Sequence, residues 1–271
     1  MTLAVAVREA YDAAGGSWAE GPMHLYRELA RPLVAAAGEV TGRRAVDLGT
    51  GSGAVAGLLQ AEGARVVACD GALGMLLPRR GERAPAVVAD VRALPLASHS
   101  VDLVAAGFVL NHLPDPGPAL REAARVLRPG GRLVGTTFAG EAASEVKRAL
   151  GHVAARHGFV PPGWYAALHD APLYQPTRAE AERVLASAGL RDVRAEVTVV
   201  RLRLSVEQVV AWRWGMAQLA AFVGGLTAAE RAALDADAAA ELRRLWPPEG
   251  LAALDFPVLV MSGRTPSAGQ V

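Results

Sequence analysis

The chain has 271 residues, is 52% hydrophobic and 20% charged, and carries a formal net charge of +1. Such a balance describes an ordinary globular protein of one large domain or two small ones, with enough apolar residues for a substantial core. No basic run exceeds Arg79-Arg80, no apolar run approaches the ~18 residues of a spanning helix, and a lone cysteine, Cys69, excludes an internal disulfide or a thiolate cluster, so nucleic acid, membrane and cysteine chemistry all drop out.

The first twelve residues carry Arg8 and Glu9 where a secretory signal would be apolar, and the expectation is a cytoplasmic protein. A helix is predicted from Pro22 to Ala37. From Arg44 the periodicity alternates between strand and helix, as for helices wrapped on a parallel sheet. Short, nearly continuous apolar runs predict strands at 44–48, 65–70, 86–89, 101–106 and 132–138. Helices are predicted between them at Ala54 to Glu62, Leu73 to Arg80 and Pro118 to Leu127. Beyond Phe138 a helix is expected from Glu141 to His157, then a Pro/Trp/Tyr-rich loop over 159–176. Thr177 to Glu180 is a capping box opening a helix that Gly189 closes. Val193 to Leu204 alternates like a strand. Two further boxes, Ser205 to Gln208 and Thr227 to Glu230, each open an Ala-rich helix, Phe256 to Ser262 reads as a last strand, and the tail from Arg264 reads as disordered. There is no internal repeat, and the pattern predicts a single domain.

The stretch AVDLGTGSGAVAGLL at 45–59 runs a strand through three glycines into a helix. Gly49-Thr50-Gly51-Ser52-Gly53 would present bare backbone amides at a helix N-terminus, which suits a negative group and fits the dinucleotide fingerprint. Asp47 argues for something else. A carboxylate at the strand end repels a pyrophosphate and suits a ligand that carries an ammonium group.

Further motifs follow in order: Asp70 ending the second strand, Asp90 after the third, Asn111-His112-Leu113-Pro114-Asp115 after the fourth, and Leu-Arg-Pro-Gly-Gly-Arg-Leu at 127–133 before the fifth. Together with V-D-L-G-T-G-S-G these resemble the class I S-adenosylmethionine-dependent methyltransferases, and within them the ubiquinone and menaquinone biosynthesis branch. The resemblance covers 44–138, about a third of the chain. It implies an α/β fold, a Rossmann-like doubly wound seven-stranded sheet, mostly parallel with the last strand antiparallel. It makes 44–138 the cofactor-binding core and 1–40, 141–176 and 205–250 a helical lid.

The cofactor implied is S-adenosylmethionine. The cofactor-binding candidates are Asp47, Gly49, Thr50, Gly51, Asp70, Gly71, Met75, Asp90, Val91, Gly107 and Phe108. By resemblance Asp70 binds the ribose, and Asp90 with the Val91 amide takes the adenine. Met75 resembles the family's hydrophobic residue under the adenine, and its helical spacing equally suits the core. His112 is the candidate general base, or else it orders its loop through a backbone hydrogen bond. Tyr11 and Trp18 lie in a segment resembling the family's mobile leader; Tyr11 is the second catalytic candidate, although either ring could simply pin a helix to the core.

All five tryptophans and all four tyrosines lie outside 44–138, so the large rings belong to the lid. Trp18, Asn111, Trp164, Tyr165, His169, Trp212 and Met216 are the substrate candidates, with Val209, Trp212, Met216, Leu219 and Val223 sharing one predicted helix face that could equally be core. The lid shows no basic cluster. The acceptor expected is a small apolar, aromatic metabolite, and the Ala/Arg/Gly-rich composition points by association to natural-product biosynthesis. No metal site is evident, and a monomer or homodimer is expected. Two other readings stay open: a nicotinamide-dependent oxidoreductase, disfavoured by Asp47 and Asp90, and a methyltransferase-like protein that binds the cofactor without turnover.

Overall fold

The computed structural model describes residues 3–78, 81, 84–140, 143–170, 174–246, 252–267 and 269, without the side chains of Ser144 and His169. Seven strands form one sheet: β1 (Arg44–Leu48), β2 (Arg65–Asp70), β3 (Ala86–Val88), β4 (Val101–Gly107), β5 (Leu127–Phe138), β6 (Arg191–Leu204) and β7 (Ala252–Arg264). Their order is β3-β2-β1-β4-β5-β7-β6. The first five pair in parallel. The last strand, β7, runs antiparallel to both neighbours, lying between β5 and the long edge strand β6.

The expected α/β, mostly parallel sheet is therefore present. Side chains of β1 alternate between two cores. Ala45 packs under α3 (Arg31–Ala37) and α4 (Ala54–Ala61), beside Leu33, Val55 and Leu59. Val46 and Leu48 face the other layer, where α6 (Gly117–Val126) and α9 (Arg178–Ser187) contribute Leu120, Ala123 and Leu185. Strand order reverses between β1 and β4, so the chain leaves their carboxyl ends toward opposite sides, and the crevice between is where this architecture takes ligands.

Helices α1 (Leu3–Glu20), α2 (Pro22–Leu29), α7 (Ser144–Arg156), α8 (Gly163–Asp170), α10 (Val206–Trp214), α11 (Ala217–Gly224) and α12 (Ala228–Leu245) build a cap over that end of the sheet. Its core joins Leu25, Leu150, Trp212, Trp214, Leu234 and Phe256. The three capping boxes form as expected, Thr177, Ser205 and Thr227 each bonding the amide three residues on and being bonded in return.

Several boundaries differ from expectation. The helix expected over 22–37 breaks at Ala30, because Pro32 has no N–H for the Glu28 carbonyl. The 159–176 loop contains α8, started by the proline pair 161–162, whose missing N–H groups cost nothing in a first turn. The helix expected to carry Val209 through Val223 on one face ends at Gly215 and restarts at Ala217. There the α1–α2 junction crosses so closely that a Cβ on Gly215 would stand 2.4 Å from Pro22 Cδ. Helix α5 (Leu73–Leu76) is shorter than the helix expected to Arg80, whose end lies outside the described residues, as does the expected helix start at Glu141. Arg264 is the end of β7, and Thr265 bonds back to Arg128 and Gly131.

Candidate active site

The loop after β1 is shaped by backbone that only glycine adopts without strain. Gly49, Gly51 and Gly53 have φ of +62°, +55° and +95°. A Cβ on Gly49 would meet Val109 Cγ2 at 2.4 Å, which is how the loops after β1 and β4 come together at the switch point. Asp47 ends up almost fully buried. Its Oδ2 accepts from Thr50 Oγ1 at 2.7 Å and from Ala56 N at 3.0 Å, while Oδ1 is buried without a partner. Burial pushes this carboxyl up to about 7, against the opposing pull of those two hydrogen bonds.

Asp70, at the end of β2, accepts from Gly51 N at 2.8 Å and Ala72 N at 2.9 Å, so it ties the glycine loop to the turn through Gly71. Met75 is buried with Trp18, Met23 and Ala72, its Cε 3.1 Å from where a Cβ on Gly51 would stand. At the end of β3, Asp90 turns both oxygens to Arg92 at 2.6–3.2 Å, which holds its carboxyl below the usual range. Val91 packs its side chain into the sheet's core.

After Gly107, Phe108 takes φ +54°, an uncommon conformation for a bulky residue, and leads into a one-turn 3-10 helix, Leu110–His112. Burial pulls His112 down to about 4. Its Nε2 lies 3.5 Å from Tyr11 Oη, and Nδ1 is buried without a partner, as is Asn111 Oδ1 beside it. Tyr11 belongs to α1, and its ring meets His112 and Trp18 edge-on, each at 5.4 Å. Burial drives the Tyr11 phenol far above its ordinary value, so it is a neutral hydrogen-bonding group.

From Trp18 the rings continue through Tyr26 at 5.2 Å to Phe108 at 5.5 Å and Phe138 at 6.4 Å. Tyr26, on α2, carries no motif, and sequence reasoning missed it. Its phenol is raised to about 12, chiefly by burial, with Arg213 lowering it. Met216 packs on the same cluster. Tyr165, on α8, acts electrostatically on Tyr11 and Arg213, and Trp164 packs edge-on against it at 5.7 Å. The His169 side chain lies outside the described residues. Trp212 is buried in the cap core against Phe256 at 5.8 Å, as expected for a helix whose apolar face meets a sheet.

The structure thus brings Asp47, Asp70, Tyr11, Trp18, Tyr26, Asn111 and His112 to one crevice, with α1 closed over it. A Cβ on Gly15 would lie 1.9 Å from Gly74 O, and one on Gly74 would lie 1.8 Å from Asp12 O, so α1 seats directly on the backbone of α5. Asp12 Oδ1 also accepts from Gly74 N at 2.6 Å. Open clefts of about 310 and 260 Å³ lie at the opposite edge of the sheet, around Arg132 and Arg264. No metal-ligand cluster occurs among the described residues, and none of their helices is long and apolar enough to cross a membrane.

Residues 46–135 match a methyltransferase domain family. A demethylmenaquinone methyltransferase of Corynebacterium kroppenstedtii is 41% identical over 97 residues, 36% of this chain and 42% of the relative. One from Mycolicibacterium paratuberculosis is 35% identical over 161 residues, 56% of this chain and 70% of the relative. The chain spans less than half the length of the first curated relatives it matches. Among solved structures, a Haemonchus contortus phosphoethanolamine N-methyltransferase in complex with phosphomonomethylethanolamine and S-adenosylhomocysteine superposes with a TM-score of 0.54 at 18% identity, over 89% of this chain and 52% of that one. With the glycine loop, the reversed strand order and the acids ending β1 and β2, these matches identify the chain as a member of the class I S-adenosylmethionine-dependent methyltransferases, in their menaquinone and ubiquinone branch.

Proposed function

We propose that this protein transfers a methyl group from S-adenosylmethionine to a small hydroxylated aromatic acceptor. The carrying observation is the His112 ring, neutral and with an unpartnered Nδ1, set among Tyr11, Trp18, Tyr26 and Phe108 beside the glycine loop.

The chain's residues fit the cofactor. Asp47 Oδ1, buried and orphaned, is a ready acceptor for an ammonium, and the glycine loop offers backbone that no Cβ covers. Asp70 would take the ribose hydroxyls, and Met75 would lie against the adenine. Asp90 is the proposed adenine acceptor, held by Arg92. When bound, the cofactor supplies an electrophilic methyl group on a sulfonium.

The protein's share is alignment, exclusion of water and one proton. Holding two reactants in line contributes about 7–11 kcal/mol. Trp18, Tyr26 and Phe108 would stack the acceptor ring, and α1 closed over the crevice keeps water from its oxygen. With Nε2–H donated to Tyr11 Oη, His112 Nδ1 keeps its lone pair and would take the proton from an acceptor hydroxyl; Asn111 Oδ1 would receive a second hydroxyl. The relatives' name carries a quinone-type substrate, a flat ring of the kind this wall would stack.

Calorimetric titration with S-adenosylhomocysteine and with NADH tests the cofactor, and transfer of labelled methyl to a panel of phenols and naphthols tests the reaction. Heat from the first ligand only, followed by label in a phenol, is expected. Binding of NADH alone would refute the proposal.

A further inference from the structure

The cap buries a charge for which the proposed reaction as described so far has no use. Arg213, near the carboxyl end of α10, is only 6% exposed. Its Nε is buried without a hydrogen-bond partner, and among the described residues its guanidinium forms neither a hydrogen bond nor an ion pair. It lies against the Trp212 ring, 5.4 Å from the centroid, and the groups on which its charge acts are the side chains of Tyr26 and Tyr165, not a carboxylate. Leaving a cation in such a place is expensive unless an anion arrives, because its desolvation is uncompensated.

The anion's direction follows from the neighbours. Tyr26 packs against Trp18 and Phe108, the rings proposed to hold the acceptor, and α8, which carries Tyr165, packs on α1, which carries Tyr11. Lys147 Nζ stands 5.9 Å from the centroid of Phe138, the next ring of the same wall. The acids, Asp47 and Asp70, lie on the opposite side at the glycine loop. A crevice with carboxylates at one pole and a guanidinium at the other matches a cationic cofactor facing an anionic acceptor.

We propose that Arg213 binds an anionic oxygen group, a carboxylate or its equivalent, on the acceptor, so that the substrate is an aromatic acid and not a neutral apolar ring. This rests on the methyltransferase reading for the identity of the second ligand. Arg213 is a binding residue here, since a planar guanidinium pairs a carboxylate through two parallel hydrogen bonds. Its neighbours Trp212 and Trp214 are both buried, so the carboxyl end of α10, unlike its exposed start at Glu207 and Gln208, is enclosed by the cap.

The test uses 4-hydroxybenzoate and its neutral analogue 4-hydroxybenzamide as probes. Their affinities are measured by ligand-observed NMR with and without S-adenosylhomocysteine, on the native chain, Arg213→Met and Arg213→Lys. The native protein should bind the acid at least tenfold more tightly than the amide. Arg213→Met should lose that preference and Arg213→Lys should keep part of it, while affinity for S-adenosylhomocysteine stays within twofold in both. The ligand-free melting temperature of Arg213→Met should rise, because an unpaired buried charge has been removed. Equal affinities in the native protein, or a preference that survives in Arg213→Met, would overturn the proposal. So would a tenfold loss of S-adenosylhomocysteine binding in Arg213→Met, which would assign the guanidinium to the cofactor's own carboxylate. If Arg213→Met does not fold, the native protein and Arg213→Lys decide. Should the native chain fail to bind S-adenosylhomocysteine, the methyltransferase reading fails, while the acid preference measured without it still decides this inference.

Discussion

Tyr11 Oη and His112 Nε2 lie 3.5 Å apart although 101 residues separate them in the chain. One belongs to the helix that closes the crevice and the other to the turn after β4, so closure and the setting of the histidine tautomer are the same event. Burial keeps His112 neutral down to about 4. The pH profile of kcat/KM for the acceptor, measured with S-adenosylmethionine saturating so that cofactor binding to Asp47 does not enter, should therefore be flat through the ordinary histidine range and fall only toward pH 4. A fall centred near 6.5 would mean that His112 is exposed to water during turnover.

Replacing His112 by Gln keeps the ring's volume approximately and removes its basicity. Turnover should drop by about 10²–10⁴-fold, the usual contribution of a positioned base, with little change in S-adenosylhomocysteine affinity. Tyr11→Phe should cost less, since it removes only the group that orients the imidazole. Full activity in His112→Gln would assign His112 to ordering its loop.

Asp47 and His112 make opposite contributions to stability against pH. For Asp47 the folded value, about 7, lies above the ordinary 3.8, so the folded state holds the extra proton and the contribution is lost as pH rises from about 4 to 7. For His112 the folded value, about 4, lies below the ordinary 6.5, so its contribution is lost as pH falls through that window. Denaturation curves at several pH values should show Asp47→Asn gaining stability relative to the native protein as pH rises, and His112→Gln gaining as pH falls. Parallel curves for native and variant would show that the group is hydrated in the folded state.

The strands of the core were legible because a strand covered on both faces reads as a nearly continuous apolar run, as β1 and β4 do, and β2 reads the same way although Val67 is exposed. The glycine loop was legible because φ above zero with a neighbouring Val109 leaves no other residue type at Gly49. The cap was harder. Pro32 is a local signal for the break at Ala30, but α10 and α11 part at Gly215, where the α1–α2 junction crosses them, and no local pattern encodes a crossing. Arg213 escaped notice because one arginine in an amphipathic helix ordinarily marks the solvated face. The available signal was its position between Trp212 and Trp214, which leaves that turn of helix no polar side. Tyr26 escaped because a lone tyrosine on a short helix looks the same whether it faces a ligand or a core.

Asp47 should also make cofactor binding depend on pH. An arriving ammonium favours the ionised carboxylate, and the protein must give up a proton below about 7 to provide it. Affinity for S-adenosylhomocysteine should fall steadily as pH drops from 8 to 5. In Asp47→Asn it should be weaker by about 10–100-fold at pH 8, as for loss of a charge-assisted hydrogen bond of roughly 1.5–3 kcal/mol, and nearly independent of pH. Calorimetry in two buffers of different ionisation enthalpy would count the proton released.

The closed position of α1 depends on two missing side chains. A Cβ at Gly15 would overlap the Gly74 carbonyl oxygen, and backbone cannot swing aside as a flexible side chain can. Gly15→Ala must therefore lift the middle of α1, the part between Tyr11 and Trp18, while Gly16→Ala, where nothing lies within 4 Å, should leave it in place. Overpacking of this kind costs about 1–3 kcal/mol where the structure cannot relax. The cost should appear as opening of α1 and not as global unfolding, since the overlap is confined to its seat on Gly74. Limited proteolysis should cut the first twenty residues faster in Gly15→Ala, with Tyr11 and Trp18 drawn away from His112 and turnover reduced, and Gly16→Ala should match the native chain in both measurements. Equal protease resistance in the two variants would mean that α1 reaches its partners by a different seating, and Tyr11 would then lose its role in holding the histidine.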